Sequence, residues 1–156
     1  MARVNVGLNP KLLSDQHLVA ESVEITIITG NLRMNGYKLK TPTPKEFSLG
    51  KGHINFFKDK LGYLQKRLTA VNTEMKRRGF KPGTHIDLNE FPTHFRNDWQ
   101  PSHKDTKQLR ERVADRLLNP KNGKKGDVYH RYEGRVIGEG IEHFHNNILN
   151  SELYYV

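Results

Sequence analysis

Between residues 53 and 78, Phe56, Phe57, Leu61, Leu64, Leu68, Val71 and Met75 recur at steps of three and four. That spacing puts one apolar stripe along a helix and predicts a long amphipathic helix over about 53–78. Its last turn is basic, with Lys76, Arg77 and Arg78, then Gly79 as a C-cap; Pro82 bars continuation. A second helix starts at Ser14 or Asp15, contains Glu21 and Glu24, runs to about Leu32 and stops before Asn35-Gly36. Its stretch Val23-Glu24-Ile25-Thr26-Ile27-Ile28-Thr29 is β-branched and on propensity alone suits a strand. A third helix covers about 105–118 and ends before Pro120. Residues 37–51, with Thr41-Pro42-Thr43-Pro44, and 83–103, with Pro92 and Pro101, read as irregular. Residues 121–126 form a basic loop, and the tail from Val128 mixes aromatic, basic and glycine residues. The expectation is a compact all-α single domain of about three principal helices joined by long loops.

A length of 156 residues suits one domain with its own core. The absence of cysteine excludes disulfides, zinc–thiolate sites, iron–sulfur clusters and thiol nucleophiles. No apolar run approaches the roughly 18 residues of a membrane span, and the N-terminus lacks a signal-peptide core. The location expected is cytoplasmic, or co-resident with a chromosome. Lys and Arg number 26 against 17 Asp and Glu, for a net charge of +9. Cations gather at 76–78, 110–116, 121–125 and 131–135. A nucleic acid is the expected partner. An anionic membrane surface is disfavoured, because no basic amphipathic helix carries a strong aromatic-aliphatic face.

Ala2 is small, so removal of Met1 is expected, which exposes an α-amine beside Arg3. Such an amine has a pKa of about 7.7–8.0, so roughly a quarter is unprotonated near pH 7.4, against about 0.1% of an ordinary lysine. Arg3 would lower that pKa further and is positioned to hold a phosphate. On a helix His17, Glu21, Glu24 and Ile28 share one face. For Glu24 the plain alternative is a solvated carboxylate. His17 reads equally as a DNA contact or as a bridge to Glu21. Gln16, Arg33, Arg112 and Arg116 are phosphate or base-edge candidates; for Arg112 and Arg116, one turn apart, the plain alternative is an exposed helix face. His53 reads as a structural histidine fixing its loop. His143 and His145 lack the carboxylates a metal site needs, so no metal is expected.

Several blocks together carry a family resemblance: Met1-Ala2-Arg3-Val4-Asn5; Asp15-Gln16-His17-Leu18 with Ala20-Glu21 and Glu24; Leu49-Gly50 with Gly52-His53, Phe56-Phe57 and Asp59-Lys60-Leu61; Lys76-Arg77-Arg78-Gly79-Phe80; and Phe95-Arg96 with Asp98. The chain resembles the phage-type pyrimidine-dimer DNA glycosylases over most of residues 1–137. Residues 138–156 form an extension of unassigned role. The resemblance implies an all-α fold whose N-terminal segment threads between helices to the DNA face. It implies DNA repair without metal or organic cofactor, by a monomer acting on double-stranded DNA that contains damaged or abasic sites. Glycosidic cleavage at cyclobutane pyrimidine dimers would be coupled to strand scission by β-elimination, with a nucleotide displaced from the stack. Ala2 would supply the amine that forms an imine at C1′, and Glu24 the carboxylate. DNA contacts are then expected from Arg3, Gln16, His17, Arg33, Arg112 and Arg116. Tyr129, Arg131 and Tyr132 join them from a partly kept aromatic run, and Glu21 as a supporting hydrogen-bond or charge partner.

Departures from the family pattern bear on specificity. Ser22 stands where an aromatic is usual, and Val23 and Ile27 where arginines flank the glutamate. The alternatives are the same chemistry on another modified base or on abasic sites only, and a basic DNA-binding protein of this fold without catalysis.

Overall fold

The computed structural model describes residues 3–156. Six helices follow in order: α1 (Asp15–Met34), α2 (His53–Phe57), α3 (Leu61–Arg77), α4 (His103–Leu118), α5 (Gly126–Tyr129) and α6 (Ile141–Leu149). One antiparallel ribbon, β1 (Arg131–Tyr132) with β2 (Arg135–Val136), lies between α5 and α6. The fold is therefore all-α, with α1, α3 and α4 as its long helices.

Ser14 caps α1 by accepting the His17 N–H at 3.2 Å. The helix stops where Gly36 takes φ 65°, and the Tyr37 N–H turns back to Leu32 O at 2.8 Å. The β-branched run is helical because Ile25 and Ile28, three apart, are both fully buried in the core. Its hydroxyls are satisfied locally, Thr26 donating to Ser22 O and Thr29 to Thr26 O.

The single helix expected over 53–78 is instead two. Lys60 leaves helical geometry at φ −122°, ψ 41°, and forms an isolated bridge with Arg96. Segment 96–97 crosses here: the Asn97 amide donates to Asp59 O, and the Tyr63 N–H to Asn97 O. A Cβ at Gly62 would lie 2.7 Å from Arg96 O, so only glycine admits this crossing. The apolar stripe reads through the break because Phe56, Phe57, Leu61 and Leu64 all enter the same core.

α6 was not foreseen. It packs on α4 and buries Ile141 and Ile148. The chain beyond it returns to the N-terminal segment, where the Tyr154 N–H donates to Gly7 O. At the ribbon turn, Glu133 (φ 52°) and Gly134 (φ 83°) are both left-handed, the requirement of a two-residue hairpin that follows the strand twist. The Asp15 carboxylate holds that turn by accepting both their N–H groups, at 3.0 and 2.8 Å.

Residues 4–8 run through the interior and are buried. Asn5 donates its backbone N–H and its side-chain amide to the two oxygens of Glu21, at 2.9 and 3.1 Å. Arg67 of α3 grips the same carboxylate through Nε and Nη2, at 2.6 and 2.9 Å, and donates Nη1 to Leu8 O at 2.6 Å. Both charged side chains are 0% exposed. Gly7, at φ +72°, passes α4 so closely that a Cβ would sit 2.2 Å from Thr106 Cγ2. Val4 is held by His53, whose Nε2 accepts the Val4 N–H at 2.9 Å while Nδ1–H donates to Ser48 O at 2.8 Å.

Replacing Arg67 by Ala strands the buried Glu21 carboxylate, and the expected loss is about 3–5 kcal/mol. Urea unfolding measures it. Arg67→Lys should recover only part, because an ammonium lacks the two-pronged geometry.

His53 yields a pH prediction. Burial first, with Arg3 and Arg112 adding to it, pushes the imidazole down to about 4 against the opposing pull of the Ser48 carbonyl. Unfolded chains take up this proton near 6.5, so between those values the unfolded state binds more protons. The stability His53 contributes is present above about pH 6.5 and is lost as pH falls towards 4, by about 3 kcal/mol. Urea midpoints should fall over that window, and less steeply in His53→Gln.

Candidate nucleic-acid interface

Arg3, Asn5, His17, Ala20, Arg112, Val113, Arg116 and Lys121 line one cavity of about 50 Å³. The N-terminal segment, α1, α4 and the start of the basic loop each contribute a wall. Arg112 and Arg116 come together because four residues make about one turn of α4. Val113, Ala114 and Leu117 are buried on the adjoining side of that helix, where Val113 also reaches the cavity wall. The Ser102–Asp105 capping box starts α4. Gly126 sets where the basic loop returns, for a Cβ there would fall 1.9 Å from Leu117 O.

Cations dominate the electrostatics. Arg3 is held below its ordinary value by burial first and then by the guanidinium of Arg112, with Arg116 adding; Glu24 pulls the other way. Like charges gathered in a recess favour an anion. Glu24 is 3% exposed, and its Oε1 has no hydrogen-bond partner among the described residues. Burial raises its pKa, and the attraction of Arg3 does not cancel that effect. A buried carboxyl so disposed holds a proton more readily than a solvated one and opposes positive charge strongly when ionised.

His17, Ala20, Arg116 and Lys121 line both this cavity and a second of about 250 Å³, which Tyr129, His130 and Asn122 help to line. Burial first, and then His130, pushes the His17 imidazole down to about 3, so it is neutral near pH 7. It does not bridge Glu21, whose oxygens are taken by Asn5 and Arg67. Its ring instead lies 4.6 Å from that of His130. His130 in turn bonds Ser14 Oγ at 2.9 Å and Arg116 O at 3.3 Å.

The other expected contacts divide. Glu21 is corrected only as a DNA contact, since it has no exposure; its carboxylate is the hydrogen-bond and charge partner of Asn5 and Arg67. Gln16 lines the second cavity, but its amide clips the chain beyond α5, donating to Tyr129 O and accepting the Arg131 N–H, both at 2.8 Å. Tyr129 borders the second cavity, with Lys124 Nζ 5.6 Å above its ring. Arg131 is exposed and donates to Gly134 O. Tyr132 is committed elsewhere: its hydroxyl donates to Lys11 O, and Arg78 lies over its ring at 4.0 Å. Arg33 pairs with Glu90, nine residues beyond Glu24 and about 14 Å further along α1. Ala2 lies outside the described residues.

Sequence reasoning missed the supporting roles of Asn5 and Arg67, and read Ser14 as a helix cap without its bond to His130. Asn5 and Ser14 are short polar residues whose roles depend on distant partners. Arg67 falls inside an apolar helix pattern, where a single cation reads as surface; its position between Leu64 and Leu68 was the available signal.

Among the described residues no helix is long and apolar enough to cross a membrane. A family model described as pyrimidine dimer DNA glycosylase matches residues 1–88. The match takes in the N-terminal segment, α1 with Glu21 and Glu24, α2 with His53, and α3 with Arg67. Spanning more than half of the 156 residues, it establishes that the chain belongs to the pyrimidine dimer DNA glycosylase family.

Proposed function

We propose that the protein cleaves the glycosidic bond at pyrimidine dimers in double-stranded DNA with its N-terminal amine and then nicks the strand as a lyase. The observation that carries this reading is Glu24. It is a buried carboxylate with an unpartnered oxygen and a raised pKa, close enough to Arg3 for their charges to interact. Burying such a group has a desolvation cost, which the charge of Arg3 offsets only in part. Arg3, whose charge acts on Glu24, is one of the residues that line the basic cavity.

The chemistry follows from the groups available. The Ala2 α-amine, one residue before Arg3, attacks C1′ as the bond from C1′ to the base breaks. Positive charge grows at the sugar, and the Glu24 carboxylate opposes it. Opening of the sugar ring gives an imine, which acidifies the C2′ proton. Loss of that proton expels the 3′ phosphate, and water then hydrolyses the imine to free the amine. Arg3, Arg112, Arg116 and Lys121 hold the flanking phosphates. C1′ reaches the amine only if a nucleotide leaves the stack, and a dimer lowers the cost of that step.

Borohydride should trap a covalent adduct between the parent protein and an abasic duplex, with the link at residue 2. An N-terminal tag displaces the amine by about 3.8 Å per residue and should abolish trapping. Undiminished trapping with a blocked N-terminus would remove Ala2 from the mechanism. Glu24→Gln should lower dimer cleavage at least about a hundredfold while retaining DNA affinity, read by single-turnover assay beside equilibrium binding.

Arg116→Ala should weaken all duplexes alike and reduce the log–log salt slope by about 0.9. A parent slope near zero would argue against the phosphate contacts.

A second reading, the same chemistry on another modified base or on abasic sites alone, is favoured by one observation. Val23 and Ile27, 52% and 43% exposed, flank Glu24 with no cation to grip the backbone. A panel of dimer, abasic and oxidised-base duplexes separates the two.

A further inference from the structure

We infer that Val23 and Ile27 form an apolar step at the lip of the basic cavity, against which the exposed bases and sugars of a distorted duplex pack. The step sets substrate preference by unstacked apolar surface rather than by added phosphate contacts. The inference rests on the reading of this site as a DNA glycosylase centre and identifies what discriminates its substrate.

Geometry comes first. Ala20 lines both cavities. At about 100° per residue, Ile27 lies about 20° and Val23 about 60° around α1 from Ala20. They stand about 10 Å and about 4.5 Å further along the axis. From the Ala20 wall this flank of α1 therefore leads to Val23, just before Glu24, and then to Ile27, just beyond it. Their neighbours Ile25 and Ile28 are fully buried, whereas Val23 and Ile27 are about half exposed. Core packing does not account for them.

Chemistry decides what covers the step. Arg3, Arg112, Arg116 and Lys121 attract a polyanion to the cavity. A duplex that rests on them and brings C1′ to Glu24 also covers the flank beside Glu24. A phosphate placed on two aliphatic side chains would lose water and gain no counter-charge. Base faces, pyrimidine methyl groups and deoxyribose carbons gain from the same contact. Undamaged DNA keeps its base faces stacked, and apolar side chains reach them only where steps open. Contact with the step is therefore worth most where the lesion has already opened the stack.

The test is equilibrium binding of the parent, Val23→Ser/Ile27→Ser and Val23→Arg/Ile27→Arg to three duplexes over a range of salt. One duplex is undamaged, one holds a thymine dimer, and one holds a tetrahydrofuran abasic analogue that cannot form an imine. The serine pair should lower the ratio of dimer to undamaged affinity about tenfold, through weaker dimer binding, with the parent's salt slope kept. The arginine pair should raise undamaged affinity and steepen the slope by up to about two, eroding the ratio from the other side. An unchanged ratio in the serine pair overturns the apolar step, as does a slope that falls with it. Borohydride trapping of the parent on a true abasic site runs in parallel. Its absence overturns the glycosylase reading beneath the inference; trapping with an unchanged ratio overturns the step alone.

Discussion

The buried pair of Glu21 and Arg67 is the interaction on which the rest of the site depends. Two opposite charges taken wholly out of water are costly, and their attraction offsets that cost only when every polar atom is used. Here the carboxylate accepts four hydrogen bonds and the guanidinium donates three. The surplus beyond the pair goes to backbone, at Asn5 N and Leu8 O. An irregular segment is thereby supplied with main-chain partners in the interior. The pair fixes the register of residues 5–8 between α1 and α3, and His53 extends that register to Val4.

Fixing Val4 and Asn5 sets where Arg3 emerges, and the charge of Arg3 acts on Glu24. Glu21 and Glu24 are three residues apart on α1 and buried to similar extents, yet their environments are opposite. One is saturated by donors; the other keeps an oxygen unpartnered, and burial raises its pKa. A single helix turn thus separates a carboxylate that holds the structure from one available for chemistry.

Much of this was legible in the residues. The period of the apolar stripe, Ser14, the Asn35-Gly36 stop and Pro120 mark the three long helices closely, because caps and periodicity are local signals. The break at 58–60 was not, because its cause is segment 96–97 crossing at Gly62, a contact between residues more than thirty apart in sequence. The hairpin escaped for a related reason. Glu133-Gly134 is not a favoured turn pair, and the N–H groups of its left-handed residues are met by Asp15 on a distant helix. At the site, the shared face of Glu21 and Glu24 was readable from spacing. Their opposite environments were not, since these turn on Arg67 and Asn5 arriving from other elements; only the resemblance implied separate roles for them.

The molecule divides its labour along the chain. The elements within 1–88 hold the N-terminal segment and Glu24. Most of the cavity's positive charge, from Arg112, Arg116 and Lys121, comes from the remainder. That remainder has to be placed as accurately as the first part, because like charges drawn together are held only by what supports them. α6 braces α4, and Gly126 sets where the loop returns after Lys121. His130 joins the carbonyl of Arg116 to the cap of α1 through Ser14. The arginines are thus tied to the same helix that carries Glu24. In the proposed reading, a recess of cations fixed in this way meets the phosphates at no reorganisation cost, which leaves the energy of DNA binding available for opening the stack.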